Sequence, residues 1–182
     1  MSVCIDYNCS DLEDHLMNDC AEELLGGQDQ VVLLDCDHTI TDPSNGTQIN
    51  ANIASGTAIL VKNVKVGLDA PSPIELDSNI ANRPSKLVNY DRTGTYMDGN
   101  VNNHNVNVFY PSWLAGRSLG GMIIYENGND TKAVTWIDEP IYATGGRILP
   151  ADNNEFQRFE VGFKWKNKTD PKRYAAPTGV FS

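Results

Sequence analysis

Residues 158–166 read RFEVGFKWK, and this stretch has the clearest strand pattern in the chain. Its side chains alternate between an apolar set and a polar or small set: Phe159, Val161, Phe163 and Trp165 against Glu160, Gly162, Lys164 and Lys166. Successive side chains of a β-strand point to opposite faces, so the stretch predicts a strand with one buried face. Phe156 is out of this phase, which predicts a β-bulge near Gln157 and Arg158.

Working outward from this strand, short apolar segments recur along the chain and are separated by turn-forming residues. They predict strands at Val31 to Asp35, Ala58 to Val66, Leu87 to Met97, Val106 to Tyr110, Met122 to Tyr125, Ala133 to Ile137 and Ile141 to Leu149. The last of these is expected to be broken by Gly145-Gly146, and Asp98-Gly99-Asn100 is predicted to form a turn. The segments at 122–125 and 133–137 predict a hairpin around the turn residues 127–130. The 19 Asn, 15 Gly and 9 Pro are typical of a chain with many turns and few long helices.

Two short helices are also predicted. The first begins at Ser10, where Ser10 and Glu13 fit a capping box, and it ends at Gly26-Gly27. The second follows Asp42-Pro43, with Asp42 as its cap, Ile49 and Ile53 on one face, and Gly56 at its end. The segment from Ala70 to Pro73 is predicted to be a rigid loop because it contains two prolines.

These elements predict a mainly β protein, an antiparallel β-sandwich or small barrel with one or two short flanking helices and extended terminal arms. A single domain is what 182 residues with 40% hydrophobic content can support. Within it we expect an N-terminal arm (1–9), a helix-strand-helix segment (10–57), a β-sandwich core (58–168) and a C-terminal arm (169–182).

The charge of the chain limits its function. With 24 acidic and 14 basic residues the formal net charge is -10, which argues against a general nucleic-acid binder. No apolar run approaches the roughly 20 residues that span a bilayer, and the acidic N-terminus lacks the features of a signal peptide, so no membrane partner is expected. No Lys or Arg precedes Lys62, whereas residues 147–182 carry seven basic and four acidic residues. This asymmetry fits a solvated acidic end or head-to-tail association.

All four cysteines lie in the first fifth of the chain: Cys4, Cys9, Cys20 and Cys36. Their spacing contains no C-x2-C pair, so a zinc site is only weakly indicated. Free thiols are the leading interpretation, because no secretion signal is present, and disulfides formed late in an extracellular particle are the third alternative. The histidines at 15, 38 and 104 have no paired metal-ligand spacing, and no cofactor or metal site is predicted.

Residues 31–42, VVLLDCDHTITD, resemble the first motif of the haloacid dehalogenase-like phosphatases, an apolar strand followed by D-x-D-x-T. The resemblance implies Asp35 as nucleophile and Asp37 as general acid/base, with Mg²⁺ neutralising the phosphate. That fold is a doubly wound parallel sheet and needs several helices of ten or more residues, but no such helical pattern follows Gly56. The structural alternative is that Asp35 and Asp37 edge a strand and Asp42 caps a helix.

A second resemblance covers most of the chain from Cys36 onward. It is carried by turn and strand motifs: ITDPS at 40–44, IASGTA at 53–58, APSP at 70–73, YDRTGTYMD at 90–98, NVFY at 107–110, QRFEVGFKW at 157–165 and APTGVF at 176–181. In these motifs the chain resembles small virion proteins of tailed bacteriophages infecting Bacteroidota, including crAss-like phages.

This resemblance implies a structural protein of the virion, not an enzyme, made in the host bacterial cytoplasm. A tail-tube or head–tail connector subunit is the leading expectation. A capsid decoration or head-fibre-associated protein is the second, and an unassigned ligand-binding β-domain is a further alternative.

The expected partners are copies of the chain in a ring or tube, and other virion proteins of the tail or head–tail junction. Genomic DNA is expected only as a passing, non-specific neighbour in an acidic lumen. Strand edges, loops and arms are expected to make the contacts between subunits. The candidate assembly contacts are Pro71, Pro73, Trp113, Tyr174 and Phe181.

Overall fold

The computed structural model of the chain describes residue 14 and residues 29–76, 85–114, 118–126, 132–151 and 157–181. The predicted N-terminal arm, nearly all of the helix predicted from Ser10 to Gly26, the turn at 127–130 and Phe156 lie outside the described residues.

The described residues form ten strands and three short helical elements. The strands are β1 (Asp29–Leu34), β2 (Ala58–Leu68), β3 (Ser72–Leu76), β4 (Lys86–Asp98), β5 (Ser118–Leu119), β6 (Gly121–Glu126), β7 (Ala133–Ile137), β8 (Ile141–Ile148), β9 (Arg158–Lys166) and β10 (Lys172–Ala175). The helices are α1 (Gly46–Ser55), a π-helix (Asn105–Phe109) and α2 (Tyr110–Leu114), which directly continues the π-helix.

All ten strands belong to one antiparallel sheet, in the order β10-β7-β6-β1-β2-β4-β9-β8-β5, with β3 paired to β4. The predicted mainly β class is therefore confirmed, and the choice between sandwich and barrel stays a prediction. The predicted hairpin is β6 paired with β7. The first strand in the chain, β1, lies near the middle of the sheet between β2 and β6.

One face of the sheet packs against the helical segment 105–114. The apolar side chains of β9, Phe159 to Trp165, are buried on this face in the alternation that the sequence predicts. They join Tyr96, Tyr110 and Trp113 in a first core cluster, where the rings of Tyr110 and Phe159 stack with centroids 3.8 Å apart. This cluster draws on eight strands and on both parts of the helical segment.

A second core cluster lies on the opposite face of β1, β6 and β7. It is covered by α1 and by the segment 174–181 that includes the end of β10, and its fully buried members include Val32, Leu34 and Ile49. Because Val31 and Leu33 face the first cluster, β1 is buried on both faces. A continuous apolar run such as Val31 to Leu34 is what this position requires.

Helix α1 forms where the sequence predicts a helix, but its cap is different. Asn45, not Asp42, is the N-cap, and its side-chain oxygen accepts hydrogen bonds from the backbone N–H groups of Thr47 and Gln48. Asp42 instead accepts from the N–H and hydroxyl of Ser44 and makes a turn before the helix. Gly56 ends α1 as predicted, with a φ of 80° that glycine adopts readily.

The prediction of a strand at Val106 to Tyr110 is wrong. Asn102 begins a helical segment there, because its side chain accepts from the N–H of Asn105 and its carbonyl accepts from the N–H of Val106. The buried positions that follow are Asn105, Phe109, Tyr110 and Trp113, and their spacing of three and four residues is that of one helix face. The alternation of Val106, Val108 and Tyr110 in the sequence therefore does not correspond to a strand.

Two other expectations change in detail. Pro73, expected in a rigid loop, lies within β3, an edge position where a strand tolerates proline. Gly145 and Gly146, expected to break a strand, lie inside the continuous strand β8. At the turn predicted for Asp98 to Asn100 the chain leaves β4, and the Asn100 N–H donates to the Asp98 carboxylate at 2.8 Å.

Cys36 is disulfide-bonded, so the leading interpretation of the cysteines as free thiols is wrong for this residue. The other three cysteines lie outside the described residues.

Two short connections force the sheet to curl. β7 and β8 are six strand positions apart in the sheet, and so are β9 and β10. Six steps on a flat sheet cover about 29 Å. The connection 138–140 reaches at most about 14 Å, and the connection 167–171 at most about 21 Å. The sheet therefore curls until strands from its two halves approach each other, with the helical segment 105–114 packed against its inner face.

Arg92 on β4 holds the connection 167–171. Its guanidinium is buried and donates to the Asn167 carbonyl at 3.2 Å and to the Asp170 carboxylate at 2.6 Å. The side chain of Asn167 in turn donates to Glu139 in the other connection. One buried cation thus links β4 to both connections.

We expect Arg92→Met to lower the free energy of unfolding by about 1–3 kcal/mol, because the Asn167 carbonyl loses a buried donor. The control is Lys166→Met on the adjacent strand β9. Lys166 pairs with Asp91 on the surface at 3.9 Å, and its loss should cost less than about 0.5 kcal/mol. Urea unfolding followed by circular dichroism measures both variants, and equal losses would contradict the role given to Arg92.

A buried polar network fixes the helical segment against β4. Asp98 is fully buried and accepts from the Tyr110 hydroxyl at 2.5 Å, and the Tyr96 and Tyr110 hydroxyls lie 3.0 Å apart. Burial raises the pKa of Tyr96 and Tyr110 well above the ordinary value, and the charge of Asp98 acts in the same direction. Both hydroxyls therefore stay protonated and available as donors.

Tyr110→Phe should destabilise the fold by about 1.5–3 kcal/mol, because it removes a hydrogen bond to a buried carboxyl group without changing the ring packing. Tyr174→Phe is the matched control, since the Tyr174 ring packs edge-on to Trp136 on β7. Its effect should be within about 0.5 kcal/mol. Thermal unfolding monitored by near-ultraviolet circular dichroism compares the two, and an unchanged Tyr110 variant would rule out a stabilising network.

Candidate assembly surface

The most exposed large apolar side chain of the described residues, Leu76, lies on a projecting hairpin together with two other exposed apolar side chains. We call β3 (Ser72–Leu76) together with residues 86–90 of β4 the β-arm. Leu76 is 62% exposed and Leu87 is 45% exposed, and Val88 is exposed beside them. Large apolar side chains grouped in this way on a surface indicate an interaction site.

The β-arm projects because β4 is longer than its other partners. β9 pairs with β4 only from Asp91 to Asp98, and β2 pairs with it only from Gly94 to Asp98. Residues 86–90 therefore have β3 as their only strand partner in the described chain. Burial on β4 alternates from Arg92 onward and is lost before it, so both faces of the β-arm point to solvent.

Local contacts hold the β-arm in place at its base. Thr93 donates to the Asp69 carboxylate at 2.9 Å, where the chain leaves β2 for β3. The Arg92 guanidinium lies 5.5 Å from the centre of the Tyr90 ring, within the range of a cation–π contact. Nearer the tip, the Ser85 hydroxyl donates to Glu75 across the hairpin.

The structure separates the five residues that the sequence suggested as assembly contacts. Pro71 and Pro73 are exposed at the start of the β-arm. Trp113 is 1% exposed inside the first core cluster, where it supports the fold of its own chain. Tyr174 and Phe181 are half-buried, and Phe181 stacks on Tyr125 with centroids 4.8 Å apart. A contact of any of the five with a neighbouring subunit stays a prediction.

Sequence reasoning missed Leu76, Leu87 and Val88 as candidate contacts. The strand at 87–97 was predicted. Whether its first residues extend beyond the neighbouring strands depends on where β2 and β9 end, and no local sequence pattern of β4 indicates those positions. The signal that was available is the lack of apolar alternation before Arg92, next to a segment with two prolines.

Asp35 and Asp37, the residues of the phosphatase-like motif, form a tight turn after β1. The Asp35 N–H donates to the Thr57 carbonyl at 3.0 Å, and the Asp35 carboxylate accepts from the Asp37 N–H at 3.3 Å. Asp37 is exposed. The sheet that carries this turn is antiparallel, whereas the phosphatase fold requires a parallel one. The geometry therefore matches the structural alternative, in which these carboxylates edge a strand.

Burial lowers the pKa of His38 at this turn, and the charges of Asp138 and Asp35 oppose that shift. In the described part of the chain, no group of three or more His, Cys, Asp or Glu side chains could hold a metal ion. Within the same residues, no helix is long and apolar enough to cross a membrane.

Two adjoining clefts lie where the connections 138–140 and 167–171 meet. One is a cavity of about 300 Å³ lined by residues that include Trp136, Asp170 and Lys172, and the other is about 530 Å³ and includes Tyr142 and Lys164. Glu139 lines both. Burial raises the pKa of Glu139 above its usual range, Asp138 adds to the shift, and Arg92 opposes it.

The raised pKa of Glu139 has a consequence for stability. Between the unfolded and the folded pKa the folded chain binds more protons, so the contribution of Glu139 to stability falls as pH rises through this interval. We expect the free energy of unfolding of Glu139→Gln, relative to that of wild type, to increase as pH rises from about 4.5. The difference should become constant once pH exceeds the folded pKa of Glu139. Chemical unfolding at a series of pH values measures the difference.

Asp138→Asn serves as the parallel variant, because burial also raises the pKa of Asp138. Its stability relative to wild type should change with pH in the same direction. A difference that is flat with pH, or that falls as pH rises, would contradict the assignment for Glu139.

Comparison of the chain with protein-family models, with curated proteins and with solved structures gives no significant match in any of the three. The arrangement of its own residues is therefore the basis for a functional proposal.

Proposed function

We propose that the chain is a structural component of a tailed-bacteriophage virion, a tail-tube or head–tail ring subunit that assembles with copies of itself. The observation that carries this proposal is the β-arm, which holds exposed Leu76, Leu87 and Val88 away from the core of its own chain. The biological setting of the proposal comes from the turn and strand motifs that resemble those of small phage virion proteins.

The exposed leucines favour assembly on energetic grounds. Burying a leucine side chain in an interface is worth about 1.5–3 kcal/mol. A subunit that exposes two leucines and a valine to water is therefore stabilised when a neighbouring subunit covers them. The backbone of β3 adds to this, because β3 has β4 as its only strand partner in the described chain. An open strand edge pairs readily with a second chain.

The distribution of charge fits a subunit that surrounds DNA without holding it. Residues 29–61 contain four acidic residues and no Lys or Arg, and of these Asp37 and Asp42 are exposed whereas Asp35 is buried. A lumen lined by such a surface repels phosphates and lets DNA pass. A capsid decoration or head-fibre-associated role is the alternative, and it differs in requiring a preassembled capsid as partner.

The paired change Leu76→Asp and Leu87→Asp tests the proposal. We expect wild type to form rings or tubes and the double variant to need at least tenfold higher concentration to do so, since each charge opposes burial of the β-arm. Mass photometry over a concentration series, followed by negative-stain imaging of the large species, measures both.

Val108→Asp is the matched control, because Val108 is an exposed apolar residue on the π-helix, away from the β-arm. It should assemble as wild type does. Circular dichroism must give the same melting curve for all variants. Unchanged assembly of the double variant, or a wild-type chain that remains monomeric, would contradict the proposal.

A further inference from the structure

β8 offers a second open edge, at a distance in the sheet from the β-arm. β5 pairs with β8 only at Ile141 and Tyr142, and in the described part of the chain the residues from Ala143 to Ile148 pair with β9 alone. Within the described residues, no strand pairs with their other backbone edge, which is six residues long. That length matches an ordinary strand and exceeds the five residues of β3.

The side chains of this edge allow the backbone of another chain to approach closely. Gly146 leaves the backbone uncovered, because no atom lies within 4 Å of the position that its Cβ would take, whereas a Cβ at Gly145 would collide with the Glu160 carbonyl of β9. Ile148 is exposed and Leu149 is 58% exposed just beyond the glycines. We call residues 143–149 the β8 edge.

The β-arm and the β8 edge are complementary. Each has an open backbone edge and exposed large apolar side chains, and their charges are opposite, with Glu75 exposed on β3 and Arg147 exposed on β8. The third open edge, β10, carries Lys172 and Arg173 but no exposed large apolar side chain. Arg173 is already paired with Glu126 at 2.8 Å, so β10 is the poorer acceptor.

We propose that β3 of one copy adds as a strand to the β8 edge of the next copy, with Glu75 close to Arg147 and Leu76 packed near Ile148 and Leu149. This inference rests on the proposed self-assembly and names its interface. Because the two surfaces differ, the contact is heterologous, and repeating it produces a closed ring or an open helical tube and not a two-fold dimer.

A charge-reversal cycle tests the pairing. We expect Glu75→Arg and Arg147→Glu each to raise the concentration needed for assembly by about tenfold, since each places like charges together. The double variant should recover assembly to within about threefold of wild type. Asp37→Arg and Lys172→Glu, reversals at exposed sites away from both surfaces, should leave assembly unchanged.

The outcomes separate this inference from the proposed function. If wild type assembles and the single reversals assemble equally well, or the double variant does not recover, the interface is wrong while self-assembly stands. If wild type itself never assembles, both fail. Only a recovery of assembly in the double variant supports the pairing. A folding defect caused by one charge reversal would not be repaired by adding the second reversal.

A second measurement locates the contact directly. A photoreactive benzoylphenylalanine replaces Leu76 in isotopically labelled chains, which are mixed with unlabelled chains, assembled and irradiated. Mass spectrometry should find cross-links from labelled residue 76 to unlabelled residues 143–149. Cross-links to β10, or to residue 76 of a second copy, would overturn the proposal.

Discussion

The hydrogen bonds and ion pair of Arg92 secure the constraint on which the fold depends. Residues 138–140 and 167–171 are too short to join their strands across a flat sheet, so the sheet must curl, and Arg92 ties β4 to both connections. Curling creates the concave face that the helical segment 105–114 fills. A buried guanidinium is costly unless its donors find acceptors, and here the Asn167 carbonyl and the Asp170 carboxylate of one connection accept from it.

The division of the chain into core and surface follows from this closure. Both faces of β1 are covered, and the first cluster is lined by eight strands, so the interior is devoted to packing. The surfaces left for recognition lie at the periphery of the sheet, where some strands extend beyond the strands they pair with. β4 extends beyond β9 and forms the β-arm, and β8 extends beyond β5 and leaves an open edge. The same mismatch of strand lengths thus creates both surfaces assigned to assembly.

Local sequence patterns predicted those elements that local chemistry determines. The alternation of Phe159 to Trp165 predicted β9, and the glycine at 56 predicted the end of α1. The helix at 105–114 was not predictable, because valine and asparagine are poor helix formers and its stability comes from burial of Phe109 and Trp113 in the curled sheet. Of the candidate surface, Pro71 and Pro73 were found from sequence, but Leu76 and Leu87 were not, since their exposure depends on distant strand ends.

The position of β1 has a consequence for the order of folding. β1 is among the first described elements to leave the ribosome, but its partner β6 follows about 90 residues later, and the second cluster also needs Val180 and Phe181. Pairings between residues so distant in sequence form slowly, because a large loop must be closed first. During synthesis Val32 and Leu34 therefore lack their final cover until the segment 176–181 has emerged. The nascent chain is a natural client for chaperones that hold exposed apolar strands.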